Sequence, residues 1–196
     1  MSKQDRMGAV EAEIRACHKC DLSRSRRNAV PGEGNLDAVV MFIGEAPGYW
    51  EDIKGRPFVG AAGRLLDEML SKIGLSRGAV YIANILKCRP PENRDPLPIE
   101  EEACTPFLDQ QIGIIKPKFI MTLGRHSASY ILSKAGFEIA EGITKLRGRV
   151  YEANLWGTKV FIIPTYHPAA ALYNIKYRDE LEGDFQLLRL ELERRR

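Results

Sequence analysis

Ala38-Val39-Val40-Met41-Phe42-Ile43, followed by Gly44-Glu45-Ala46-Pro47-Gly48, is the stretch on which the fold turns. A continuous apolar run bounded by turn residues reads as a β-strand buried on both faces, because a strand with one wet face would alternate apolar and polar positions. Toward the C-terminus the alternation of elements repeats. Helical spacing covers Ala62 to Ile73, a strand pattern Val80 to Leu86, and a second helix runs from about Pro98, a proline at a helical start, to Ile115. Phe119 to Leu123 supplies a third strand, Ser127 to Lys134 a helix, Arg149 to Glu152 and Lys159 to Ile163 further strands, and Tyr177 to Glu193 a final amphipathic helix. Toward the N-terminus, Pro31 to Leu36 reads as a loop, and Lys3 to Ala16 as a helix with Met7, Val10 and Ile14 on one side. Interleaved strands and helices predict an α/β fold with a mainly parallel sheet covered by helices.

At 196 residues and 44% hydrophobic content the chain is long enough for one core, and a single domain over 1–196 is expected. Its longest apolar runs, Ala38 to Gly44 and Val160 to Pro164, fall far short of the roughly 20 residues that cross a bilayer, so no membrane segment is expected. The polar start Met1-Ser2-Lys3-Gln4-Asp5-Arg6 lacks the apolar core of a secretion signal, which points to the cytoplasm. The net charge of +3 is mild, but Arg15, His18, Lys19, Arg24, Arg26 and Arg27 form a basic cluster suited to phosphates, or equally to a solvated face.

Three stretches show no regular pattern: Asp21 to Leu36, Gly44 to Gly60 and Lys87 to Leu97. Two of them begin where a strand ends, the place where ligands sit in open parallel sheets. Cys17 and Cys20 form a C-x2-C pair, and Cys88 and Cys104 follow, one after a strand and one inside a helix. With no secretion signal, disulfides are disfavoured and metal binding is the stronger reading. Four thiolates suit a structural zinc or an iron–sulfur cluster, and their spacing does not separate the two.

Four features in order resemble the family 4 uracil-DNA glycosylases, the iron–sulfur branch of that superfamily. They are the cysteine set, the Gly44-Glu45-Ala46-Pro47-Gly48 loop with Glu51 and Phe58, the segment Asn84-Ile85-Leu86-Lys87-Cys88-Arg89-Pro90-Pro91-Glu92-Asn93-Arg94, and Tyr166-His167-Pro168-Ala169-Ala170. The resemblance implies a three-layer α/β sandwich and a structural 4Fe-4S cluster on Cys17, Cys20, Cys88 and Cys104. It also implies an enzyme that flips uracil out of DNA, single- or double-stranded, and hydrolyses its bond to deoxyribose.

On that reading Phe58 stacks on the uracil face. The Asn84 amide donates to O4 and accepts from N3–H, a pattern that cytosine reverses. His167 donates to O2 as negative charge moves onto the leaving base. Glu45 orients water or stabilises the cationic sugar, with the backbone of Gly44 to Ala46 against the base. The related family 1 enzymes carry an aspartate where this chain has Ala46, so their catalytic assignment does not transfer. Glu51 is a second catalytic carboxylate, shaping the pocket against a thymine methyl. Leu172 or Tyr173 fills the gap left in the duplex, and Arg24, Arg26, Arg27, Arg89 and Arg94 meet phosphates. A nucleoid-associated monomer is expected, with a replication clamp or repair proteins as further partners, and Arg194-Arg195-Arg196 offers either a DNA or clamp contact or a frayed helix end. Two other readings exist: a protein that traps uracil-DNA without turnover, and a metal-stapled DNA-binding module. The trapping relative carries a reactive histidine in an Arg-rich insertion, and Cys88 to Arg94 contains none.

Overall fold

The computed structural model describes residues 1–195, so that Arg196 of the basic tail lies outside the described residues. In chain order the elements are α1 (Lys3–Arg15), α2 (Leu22–Ser25), β1 (Glu33–Gly34), β2 (Val40–Gly44), α3 (Tyr49–Lys54), α4 (Ala61–Lys72), β3 (Tyr81–Asn84) and α5 (Pro98–Ile115). They continue with β4 (Phe119–Leu123), α6 (Arg125–Lys134), α7 (Ile143–Leu146), β5 (Tyr151–Leu155), β6 (Thr158–Thr165), α8 (Pro168–Ala171) and α9 (Ile175–Arg194). Short 3-10 turns sit at Arg77–Ala79 and Pro91–Asn93.

The strands form one sheet in the order β1-β3-β2-β4-β6-β5. The inner four are parallel, and β1 and β5 pair antiparallel at the two edges. Successive residues of each inner strand feed opposite cores, which is why these strands read as unbroken apolar runs. Met41 and Ile43 of β2 join Ile120 and Ile162 in a core with Met7, Val10 and Ile14 of α1 and Phe107, Leu108 and Ile112 of α5. Val40 and Phe42 join Met121 and Ile163 in a second core with Leu66, Met69 and Leu70 of α4 and Phe185 and Leu188 of α9. The molecule is therefore layered helix, sheet, helix, as expected. Among the described residues no helix is long and apolar enough to cross a membrane.

The chain leaves β2 for β3 on one side of the sheet and then crosses to β4 on the other. A crevice opens at such a reversal, at the carboxyl ends of the strands. Several boundaries differ from expectation for identifiable reasons. β5 is not Arg149 to Glu152 but Tyr151–Leu155, because Trp156 (φ 50°) and Gly157 (φ 74°) make a tight hairpin into β6. The stretch Gly44 to Gly60 is not wholly irregular, since α3 lies within it, ended by Gly55 in the left-handed region. The pattern of α3 is inverted: Tyr49 and Trp50 are exposed, and Asp52 is buried because it accepts from the backbone N–H groups of Arg27 and Asn28.

Candidate active site and cysteine centre

The carboxyl ends of β2, β3 and β6 open into a pocket of about 420 Å³, whose lining includes Glu45, Ala46, Glu51, Phe58, Asn84 and His167. Gly44 ends β2, Asn84 ends β3, and the two residues are directly paired across the ladder. A Cβ at Gly44 would stand 2.4 Å from Asn84 Oδ1 and 2.6 Å from Phe58 Cζ, so only glycine lets those two side chains meet beside it.

Phe58 is 5% exposed and holds a left-handed backbone (φ 50°) that costs energy for a bulky residue. Its surroundings enforce that conformation. Arg77 donates to the carbonyls of Pro57 and Phe58, and Gly63 permits the carbonyl's close approach, since a Cβ there would fall 1.8 Å from Phe58 O. Glu51 Oε1 accepts from the N–H groups of Val59 (2.8 Å) and Gly60 (3.0 Å). Glu51 thus lines the pocket, as expected of a second carboxylate there, and its Oε1 also fixes the loop that presents Phe58.

Asn84 is 2% exposed, and its Oδ1 is buried without a hydrogen-bond partner. A buried acceptor left open costs about 1–3 kcal/mol, so its retention at a pocket wall calls for a ligand donor. His167 stacks on Phe58, with ring centroids 5.5 Å apart and 25° between planes. Its Nδ1 accepts from Ala169 N–H at 3.1 Å, which assigns the proton of the neutral ring to Nε2. Desolvation lowers its pKa to about 4 from 6.5, so at neutral pH the ring is an uncharged donor. Glu45 is shifted the other way, upward, chiefly by burial and against the opposing pull of His126.

Sequence reasoning missed His126, Asp95 and Glu101, which the structure gathers around Glu45, and Asn93, which lines the pocket. The position of Gly124-Arg125-His126 just after β4 was the available signal.

The basic residues divide. Arg24 and Arg27 are exposed. Arg26 instead turns inward, donating to Cys88 Sγ (3.1 Å) and to the Arg15 carbonyl (2.9 Å). Arg94 grips Glu100 with two hydrogen bonds, and Arg89 is spent on Asn93 Oδ1 and lies over the Tyr49 ring. Arg26, Arg89 and Arg94 thus each have a partner within the fold, as Arg24 has in Asp21. Leu172 packs against the α4–α9 core, whereas Tyr173 is 94% exposed.

Cys17, Cys20, Cys88 and Cys104 line one cavity between the end of α1 and the flank of α5, and none is in a disulfide. Donors surround the sulfurs: besides Arg26 on Cys88, Lys87 N–H points at Cys104 Sγ (3.1 Å) and Lys19 N–H at Cys17 Sγ (3.5 Å). Burial pushes the free Cys104 thiol up to about 12 and raises Cys88 as well, so thiolates here need a compensating cation. The donor set thus fits a thiolate-bound metal group.

The chain matches the family model of the uracil DNA glycosylase superfamily over residues 31–188. A type-4 uracil-DNA glycosylase of Saccharolobus solfataricus is 54% identical over 183 residues, covering 93% of this chain and 84% of the relative. Another, of Archaeoglobus fulgidus, is 52% identical over 177 residues, covering 90% and 88%. A third, of Thermotoga maritima, is 46% identical over 173 residues, covering 88% and 86%. The chain belongs to the type-4 uracil-DNA glycosylases.

Proposed function

We infer that this protein excises uracil from DNA by hydrolysing the bond between N1 of the base and C1′ of the sugar, releasing uracil and leaving an abasic site. The observation that carries the reading is the open Asn84 Oδ1 at the pocket wall, beside a stacking ring and a neutral imidazole donor. A flipped uracil offers N3–H to that oxygen and O4 to the same amide; cytosine offers the reverse pattern. Phe58 supplies the apolar face. As the N1–C1′ bond breaks, its electron pair passes to the ring, and His167 Nε2–H stabilises the charge gathering at O2. An ionised Glu45 favours the oxocarbenium-like sugar and the water whose oxygen bonds to C1′. Glu51 holds Phe58 in register, and the exposed Tyr173 is the wedge in place of the half-buried Leu172.

Cys17, Cys20, Cys88 and Cys104 hold a 4Fe-4S cluster in this reading. One observation favours it over zinc. A tetrahedral ion with bonds of about 2.3 Å draws its sulfurs to roughly 3.8 Å of one another. Among the described residues, however, the group of three ligand atoms within 4.8 Å of one another is Glu45, Asp95 and His126, not the cysteines. The cluster's contribution is structural, since glycosidic hydrolysis transfers no electrons, and it joins the N-terminal segment to α5.

The test is excision from labelled DNA holding one U·G pair, with alkali to cut abasic sites and a T·G duplex as control. Multiple turnover on U·G, lost in Asn84→Ala and His167→Ala, is expected. Tight binding without abasic product would favour a trapping protein, and equal treatment of both duplexes would sink the reading.

A further inference from the structure

His126 begins the chain's run into α6 from the end of β4, and its ring is enclosed by acids on three sides. Nδ1 stands 3.0 Å from Glu101 Oε1 of α5. Nε2 is buried with no hydrogen-bond partner, 3.9 Å from Glu45 Oε2 and 3.8 Å from Asp95 Oδ1. The segment is fixed on its other flank by the catalytic pocket itself. Gly124 N–H donates to Thr165 O at the end of β6, and a Cβ at Gly124 would lie 3.1 Å from that of His167. Arg125, the remaining charge facing this group, is paired with Asp95.

We propose that His126 is a positioning residue for Glu45: its imidazole, anchored from behind by Glu101, holds the Glu45 carboxylate ionised at the pocket floor. The argument is geometric. A Glu101 carboxylate accepts only, so Nδ1 carries a proton. A bare lone pair on the buried Nε2 would then face two further carboxylates, whereas a second N–H there faces both favourably. The imidazolium so formed offsets the burial that otherwise drives Glu45 toward its neutral form, and a neutral Glu45 stabilises no cationic sugar. The distances to Glu45 and Asp95 are ion-pair distances, one small side-chain movement from hydrogen bonding. That suits a contact that tightens when DNA closes the pocket.

The inference rests on the role given to Glu45 above, and the experiment separates the two. The pH dependence of kcat/KM for uracil excision is measured for the wild type, His126→Gln, Glu101→Gln and Glu45→Gln, with thermal melts confirming folding. His126→Gln should move the acid limb to higher pH by about one unit, so that activity falls roughly tenfold on the acid side while the alkaline plateau stays within severalfold. Glu101→Gln should move the limb the same way by less, and kcat should change more than KM. A merely structural role would lower the curve at every pH without moving the limb, and that result overturns the proposal. So does an activity lost to EDTA and restored by Mg2+, which would make Glu45, Asp95 and His126 cation ligands. Full activity in Glu45→Gln would refute the role of Glu45; an inactive Glu45→Gln with unmoved limbs in the other two variants would refute the role of His126 alone.

Discussion

Asn84 and Lys87 lie within one turn of chain from each other, both almost wholly buried, and the protein treats them in opposite ways. Lys87 Nζ finds three acceptors, the carbonyls of Pro31 and Asn84 and Oε1 of Gln111, at 3.1, 2.9 and 2.7 Å. The Gln111 amide returns to the same Pro31 carbonyl at 2.9 Å, so the group closes on itself. Asn84 Oδ1 has nothing. The first arrangement is structure: it ties β3 to the loop before β1 and to α5, beside two cysteines. The second is function, since a buried polar atom that the fold itself leaves unpaired at a pocket wall is open to something that arrives later.

The largest effects should fall on the pocket side of that contrast. Asn84→Ala and His167→Ala should each reduce kcat on uracil-DNA by about 10²–10³-fold, with Asn84→Ala as stable as the wild type or more so, because it removes an unsatisfied acceptor. A large loss of melting temperature in Asn84→Ala would break the comparison. Lys87→Met should do the reverse. Stability should fall by about 3 kcal/mol in urea titration, since the Asn84 carbonyl and the Gln111 amide oxygen lose their lysine donor and the Pro31 carbonyl loses one of its two, while the folded fraction retains turnover within severalfold.

A smaller effect separates the arginines. Arg24→Ala and Arg27→Ala should each flatten the salt dependence of DNA binding by about one unit in the slope of log K against log salt. Arg26→Ala should leave that slope unchanged and instead weaken the cysteine centre, read as loss of iron–sulfur absorbance.

A further effect is on stability as a function of pH. His167 has a folded pKa of about 4 against 6.5 for the free ring. The depressed value means that its contribution is complete above pH 6.5 and is lost as pH falls through about 4. The urea midpoint of His167→Leu should therefore run parallel to that of the wild type above pH 6.5, and the wild type should lose ground between 6.5 and 4.

Much of this was legible before any coordinates. The inner strands announce themselves because both their faces are dry, and Pro98 and the spacing around Leu65, Leu66 and Met69 mark α5 and α4. Gly44, Asn84 and His167 could be found because each sits where a strand ends. Two kinds of feature stayed hidden. α3 and the Trp156-Gly157 turn run against local preference, the one burying an aspartate and exposing aromatics, the other placing a tryptophan at positive φ. The ring of acids around His126 depends on β4 lying between β2 and β6, and no local pattern encodes strand order. Arg26 looked like a surface cation for the same reason: its partner Cys88 is remote in sequence.

The cysteine centre has a consequence for how the protein comes into being. α1 leaves the ribosome well before α5, yet its seat is on α5, where Cys104 lies, and Lys3 reaches the carbonyl of Ile115 at that helix's far end. Because the entropic cost of closing a loop grows only logarithmically with its length, that long wait adds little to the final stability. It matters in time. α1 must remain undocked until α5 has been translated, and the four cysteines can be brought together only once Cys104 has followed the other three, so an early segment of the chain waits on a later one to settle.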